Sequence, residues 1–234
     1  MNSKKYKMKK SILLSVILLL IFYYSNAQSW DLAKNFKFGS QNCGVSIRTD
    51  NAQNIYFTNG FNALFTKCDN SGNIIWVDTL AVAGVSTTDI NGNTYFAGGN
   101  RIAKYDNAGN KLWIVTTNIP NDYFTSIDIH PVGGIVVVGK TGSNTSKSIL
   151  SHYDENGNLL WTKTGEFFPG GEILKCDNLG NVYIVGGGQK DSVSGNYGFL
   201  VKYTGSGNLL YSEAIPATVN GMAIDNKNNG NYIQ

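Results

Sequence analysis

Apolar and polar residues alternate with a period of two in short runs along most of the chain. Ile47/Thr49, Ser86/Thr88, Ile127/Ile129, Leu174/Cys176 and Met222/Ile224 are such pairs, each placed three and one positions ahead of a turn-forming cluster. Runs of this period, rich in β-branched and apolar side chains, predict strands. No helical periodicity of useful length occurs beyond residue 27.

The clusters that separate the runs repeat. KCDNSGNIIW (67–76), KYDNAGNKLW (104–113) and HYDENGNLLW (152–161) share one spacing, and KYTGSGNLLY (202–211) follows it more loosely, at intervals of 37, 48 and 50 residues. Between them runs a second motif, DNAQNIYF (50–57), DINGNTYF (89–96), HPVGGIVV (130–137) and DNLGNVYI (177–184), with Asp225 opening a fifth copy. Each unit therefore predicts strand, tight turn, strand, variable loop, strand, tight turn, strand, variable loop. Four short strands in roughly 40–50 residues is the signature of a propeller blade. The expected fold is all-β, a β-propeller of four-stranded antiparallel blades, at least four in number and incomplete at the C-terminus. The last residues, Asn231–Gln234, fall inside the second strand of a fifth blade, and Trp30 stands where the outer strand of a final blade would be donated by the N-terminus.

Asp106-Asn107-Ala108-Gly109 can be a turn or a ligand loop. Asp suits the first position of a type I turn, and the following Gly supplies the positive φ of a bulged hairpin. Asp can also accept its own downstream amides and close the turn unaided. A calcium loop would need Gly at position 6 and Glu at position 12. In the most oxygen-rich copy, from Asp154, Gly157 is at position 4 and Gly165 at position 12, so a turn is expected and no metal site.

The aromatic three residues after each Gly-Asn is Trp76, Trp113, Trp161 or Tyr211. Equivalent placement in successive units predicts packing between blades, because repeats that cannot bury a face alone need such contacts. Burying a Trp removes ~150–250 Å² from water. Cys68 and Cys176 occupy positions where the repeat wants a packed side chain, and Cys43 is left as the more reactive thiol. Three cysteines do not make a complete set of intramolecular disulfides.

Residues 1–27 change the charge and supply an address. Five lysines precede an apolar run from Ile12 to Phe22, and Ser25-Asn26-Ala27 offers a cleavage site, the layout of a secretory signal peptide. The run is shorter than the ~20 residues of a membrane span. A mature chain of residues 28–234 holds 14 basic and 16 acidic residues, where the whole chain holds 19 and 16. The apparent basicity belongs to the leader, so nucleic-acid binding loses its electrostatic support. The expected location is outside the cytoplasm: extracellular, on the cell surface or periplasmic.

The alternation of K-Y-D-x-x-G-N-x-x-W with D-x-x-G-N-x-Y resembles the β-propeller repeat of secreted bacterial proteins, the SBBP type, over nearly all of residues 28–234. That resemblance implies a propeller and an extracytoplasmic place, with no shared catalytic residues. A weaker similarity runs to quinoprotein-like propellers. Their tryptophan motif has one more residue between Asp and Trp, so quinone binding is not carried over and no cofactor is expected.

Antiparallel meanders put successive connections on alternate ends of the strands, so the stereotyped turns share one face and the variable loops the other. Loops on a rigid scaffold are where binding residues concentrate. The expected ligand-binding residues are Asp122, Tyr123, Phe124, Glu166, Phe167, Phe168, Lys190, Asp191 and Tyr197, for an unknown protein or carbohydrate. No catalytic set is assigned, because His130 and His152 fall at repeat positions held elsewhere by Asp and Lys. The main expectation is a binding or surface-interaction module. The alternatives are a carbohydrate-active hydrolase or lyase using loop carboxylates, and a structural repeat array in a larger cell-surface protein.

Overall fold

The computed structural model describes residues 44–59, 64–79, 84–117, 123–141, 147–165, 172–189, 196–215, 219, 221–225 and 230–233, all within one compact unit, Lys37–Gln234. The leader, Trp30 and Cys43 lie outside the described residues. Among those described, every regular element is a strand. The first sheet is β1 (Gly44–Thr49), β2 (Ile55–Asn59), β3 (Leu64–Cys68) and β4 (Ile74–Thr79). The second is β5 (Val85–Thr88), β6 (Thr94–Gly98), β7 (Arg101–Tyr105) and β8 (Lys111–Thr116). The third is β9 (Tyr123–Ile129), β10 (Ile135–Thr141), β11 (Lys147–Tyr153) and β12 (Leu159–Gly165). The fourth is β13 (Glu172–Cys176), β14 (Val182–Gln189), β15 (Asn196–Tyr203) and β16 (Leu209–Ile215). A hairpin, β17 (Gly221–Ile224) and β18 (Gly230–Ile233), begins a fifth.

Each sheet is an antiparallel meander whose spatial order is its chain order. The first strands touch in succession, β1 with β5, β5 with β9, β9 with β13 and β13 with β17, so the sheets stack around their inner strands as blades. Side chains tie the inner edges where backbone pairing stops. Ser46 Oγ donates to the Ser86 carbonyl at 3.3 Å, and the Leu174 and Cys176 amides donate to Ser126 Oγ (3.1 Å) and Asp128 Oδ2 (2.9 Å).

The core lies between the sheets. One cluster joins Tyr56 and Phe65 to Phe96, Ala103 and Tyr105 of the next sheet, and Tyr95, Ala97 and Ile102 in turn pack on Ile127, Ile135, Val137 and Ile149. Val136, Val138 and Leu150 face the fourth sheet while Ile135 and Val137 face the second. A middle strand covered on both faces needs no polar alternation, which is why 135–138 reads Ile-Val-Val-Val. The expected bulges are present: register shifts occur at Lys67/Cys68, Lys104/Tyr105, His152/Tyr153 and Lys202/Tyr203, each next to the tight turn before an outer strand.

Candidate functional site

The tight-turn face is closed by its own residues. In the turn from Asp106, the Gly109 amide donates to the Asp106 carbonyl at 3.1 Å and the Asp106 amide to the Asn110 carbonyl at 2.9 Å. Asp106 Oδ1 accepts the Asn110 amide and Oδ2 the Asn110 side chain, each at 2.8 Å. The same Asp–Asn clamp closes the turns from Asp50, Asp69, Asp89, Asp154 and Asp177. These carboxylates are engaged by amide donors, which a bound cation would have to displace. Hydrogen bonds from Asn110 and Asn158, side chain first and then backbone, hold Asp106 and Asp154 below the usual 3.8. That stability is present above 3.8 and is lost as the pH falls through the lower folded values. Asp106→Ala is therefore expected to lower the melting temperature by far less than loss of a Trp, with calcium changing neither. A calcium-dependent rise of many degrees in a thermal scan would overturn the turn assignment.

Each outer-strand Trp sits on the next sheet's turn. A Cβ on Gly109, whose φ is +89°, would lie 2.8 Å from Trp76 Cγ, and Gly157 and Gly207 meet Trp113 and Trp161 in the same way. Trp113 Nε1 donates to the Glu155 carbonyl and Trp161 Nε1 to the Gly205 carbonyl, both at 2.9 Å. The expected packing between blades is thus realised with half-buried rings. Tyr211, in the same repeat position, is 42% exposed, on a strand whose residues 209–214 are all exposed.

Two partners in these seams escaped sequence reasoning. The first is the lysine that opens the motif in the first two sheets: Lys67 is 4% exposed and Lys104 8%, each lying over a tyrosine of its own sheet, Tyr56 or Tyr95. Lys67 Nζ donates to the Asn107 carbonyl at 2.8 Å and also to Asn107 Oδ1, while Lys104 Nζ reaches the Glu155 carbonyl at 3.4 Å. Burial lowers the pKa of the Lys67 ammonium, with Asp50 and Asp106 opposing. The second is Asp78, whose Oδ2 accepts from Tyr105 Oη at 2.8 Å and pairs with Lys111 Nζ at 3.3 Å. Only the recurrence of Lys at one register position hinted at the first.

The loop face is represented by fewer of the expected residues. Tyr123, at the start of β9, is 61% exposed. Phe124 corrects the expectation: it is 2% exposed and packs in the core with Ile102 and Ile127. Alternation in a strand turns neighbours to opposite sides, so Tyr123 and Phe124 could not both serve a surface. Tyr197 pairs with Gly188 within β14 and β15. Asp122, Glu166, Phe167, Phe168, Lys190 and Asp191 lie outside the described residues. Cys68 is fully buried, and Cys176 is half-buried against the core of the third and fourth sheets, its thiol pKa raised by burial and then by Asp128.

No protein-family model matches the chain, and no curated protein matches it. Solved structures do. Virginiamycin B lyase from Staphylococcus aureus superposes with a TM-score of 0.63 at 14% identity, over 82% of this chain and 63% of the lyase. BamB from Moraxella catarrhalis gives 0.55 at 12% identity over 81% of this chain and 54% of BamB. BBS1N, solved in complex with ARL6DN, gives 0.55 at 9% identity over 82% and 59%. The chain spans less than two thirds of each. These likenesses show a β-propeller fold, and with it the all-β, four-stranded blades expected from the sequence. Among the described residues the first and fifth sheets are not joined.

Proposed function

We propose that the chain is an exported propeller of the secreted bacterial repeat type that binds a protein through its variable-loop face. The observation that carries this is the contrast between the two faces. The turn face uses its carboxylates and turn amides internally and repeats itself from blade to blade, whereas the other face carries an aromatic ring, Tyr123, 61% exposed. Exposed aromatics on a rigid frame are frequent anchors of recognition. BBS1N, a propeller of similar fold, is solved with a protein partner.

The lyase neighbour supports a second reading, a carbohydrate-active or other propeller enzyme built on Asp122, Glu166 and Asp191. The described histidines do not serve it, since His130 and His152 are 3% and 2% exposed. Secreted material is expected to begin at Gln28 by N-terminal sequencing. In pull-down from cell-surface fractions followed by titration of the captured protein, Tyr123→Ala, Phe167→Ala, Phe168→Ala and Tyr197→Ala should each weaken binding by about ten-fold. Asn156→Ala, in a tight turn, should leave it unchanged. Binding lost with Asn156 and kept with the aromatics would place the site on the wrong face. Turnover abolished by Glu166→Gln or Asp191→Asn would favour the enzyme.

A further inference from the structure

The seam between the third and fourth sheets is built differently from those before it. In the first and second sheets an Asp, a Tyr and a Lys meet at this level: Asp50, Tyr56 and Lys67, then Asp89, Tyr95 and Lys104. The fourth sheet has the same trio in sequence, Asp177, Tyr183 and Lys202, with Lys202 Nζ 4.5 Å from the Tyr183 ring centre. The third sheet replaces all three together, with His130, Val136 and His152. Val136 is smaller than the Tyr of the other sheets, and the imidazole centres lie 4.2 Å apart, tilted by 43°.

Each histidine inherits a seam contact. Tyr56 Oη is 3.2 Å from the Gly92 carbonyl in the first turn of the next sheet, and His130 Nε2 is 3.0 Å from the corresponding Gly180 carbonyl. Since a carbonyl only accepts, His130 carries its proton on Nε2. His152 stands in the place of Lys67 and Lys104, facing the Gly205 carbonyl that corresponds to those of Asn107 and Glu155. The fourth sheet makes space: a Cβ on Gly205 would lie 2.9 Å from His130 Nε2, where the other turns carry Asn107 or Glu155. His130 Nδ1 and both nitrogens of His152 are buried without a hydrogen bond of good geometry, the Gly133 and Gly205 carbonyls lying near His152 and favouring its charged form only enough to oppose burial in part.

We propose that this seam is a proton-operated latch, closed while both imidazoles are neutral and loosened when acid protonates them. Lys67 in the first seam keeps Asp50 of its own sheet nearby; here His130 stands at the position of that Asp, so two cations would face each other. Among the described residues, the charged groups near the pair are Asp177 beside His130, Asp154 beside His152, and Glu155 along the Gly133 turn. Asp177 and Asp154 are already clamped by Asn181 and Asn158. The edge of Trp161 and the carbonyls of Gly133 and Gly205 complete the surroundings. Burial lowers both histidines from 6.5, and in His152 the neighbouring His130 adds to it.

The direction follows from linkage. A basic group whose folded pKa is lowered binds its proton more readily in the opened state, so stability is complete well above 6.5 and declines as the pH falls below it. This acid limb starts higher than that of the turn carboxylates, which begins only below 3.8.

Amide exchange tests the latch at matched positions. Opening at Gly180 and Gly207 should grow by up to about ten-fold per pH unit for each histidine below neutrality, after correction for intrinsic exchange. The equivalent glycines of the earlier seam, Gly92 and Gly109, should show no such limb. The chain has two histidines, so selective histidine NMR on the native protein reads the pair directly, and both should titrate below 6.5. In His130→Gln/His152→Phe, Gln keeps a donor for the Gly180 carbonyl and Phe removes the buried nitrogens; the limb should vanish. Identical pH profiles at the two seams, histidines titrating at or above 6.5, or a limb that survives in the double variant would each overturn the proposal. If the double variant does not fold, the two measurements on the native chain decide.

Discussion

Trp161→Ala should lower the unfolding free energy by about 3 kcal/mol, the lower end of the range for truncating a packed Trp, because the ring is half-buried. It removes the ring that rests on Gly207, the edge contact with His152 at 5.7 Å between centres, and the donor to the Gly205 carbonyl. Trp161→Phe keeps most of the packing and loses the hydrogen bond, so about 1 kcal/mol should remain missing. Tyr211→Ala, at the same repeat position but 42% exposed, is the internal control and should cost less than either. Urea unfolding measures all three. A Trp161→Ala chain no less stable than Tyr211→Ala would mean that the seams do not hold the blades together.

Gly134→Ala should be at least as damaging. Its φ is +78°, a conformation that costs an L side chain about 1–3 kcal/mol by itself. The added Cβ would also lie 2.0 Å from the Tyr153 carbonyl and 2.7 Å from the Asp154 carbonyl carbon, which are backbone atoms unable to swing aside. Either the turn from His130 or the bulge at Tyr153 must move, and both border the paired imidazoles. The expected readout is a large fall in folded yield or melting temperature, with histidine resonances shifted from their native positions. A variant that melts with the native chain would show that this turn tolerates a side chain and that its backbone contacts do not fix it.

Sequence reasoning reached the architecture because the repeat displays it several times. Strand positions, the two tight turns in each blade, the bulges and the seam role of Trp76, Trp113 and Trp161 all follow from local rules applied at a fixed spacing. Lys67 and Lys104 were harder, because a lysine before a turn reads as solvent-exposed; only a neighbouring sheet presenting a carbonyl makes its burial tolerable. Phe124 was misplaced for the opposite reason. It borders a variable segment in the chain, and only the strand's pleat shows that it turns inward beside exposed Tyr123.

The amino-acid sequence by itself determined the blade: which residues form strands, where Asp, Gly and Asn close a turn, and which aromatic ends each outer strand. These depend on backbone conformation and on bonds spanning a few residues, which a short motif encodes completely. Tertiary structure decided what one blade does to the next. Asn107, Glu155 and Gly205 differ in side chain, and they share a backbone carbonyl that the preceding sheet uses. His130 and His152, 22 positions apart in the numbering, become one buried pair in the sheet that has Val136 where the other sheets have Tyr. Such coupling comes from packing across a seam, where volume and charge must balance among residues that no local motif brings together.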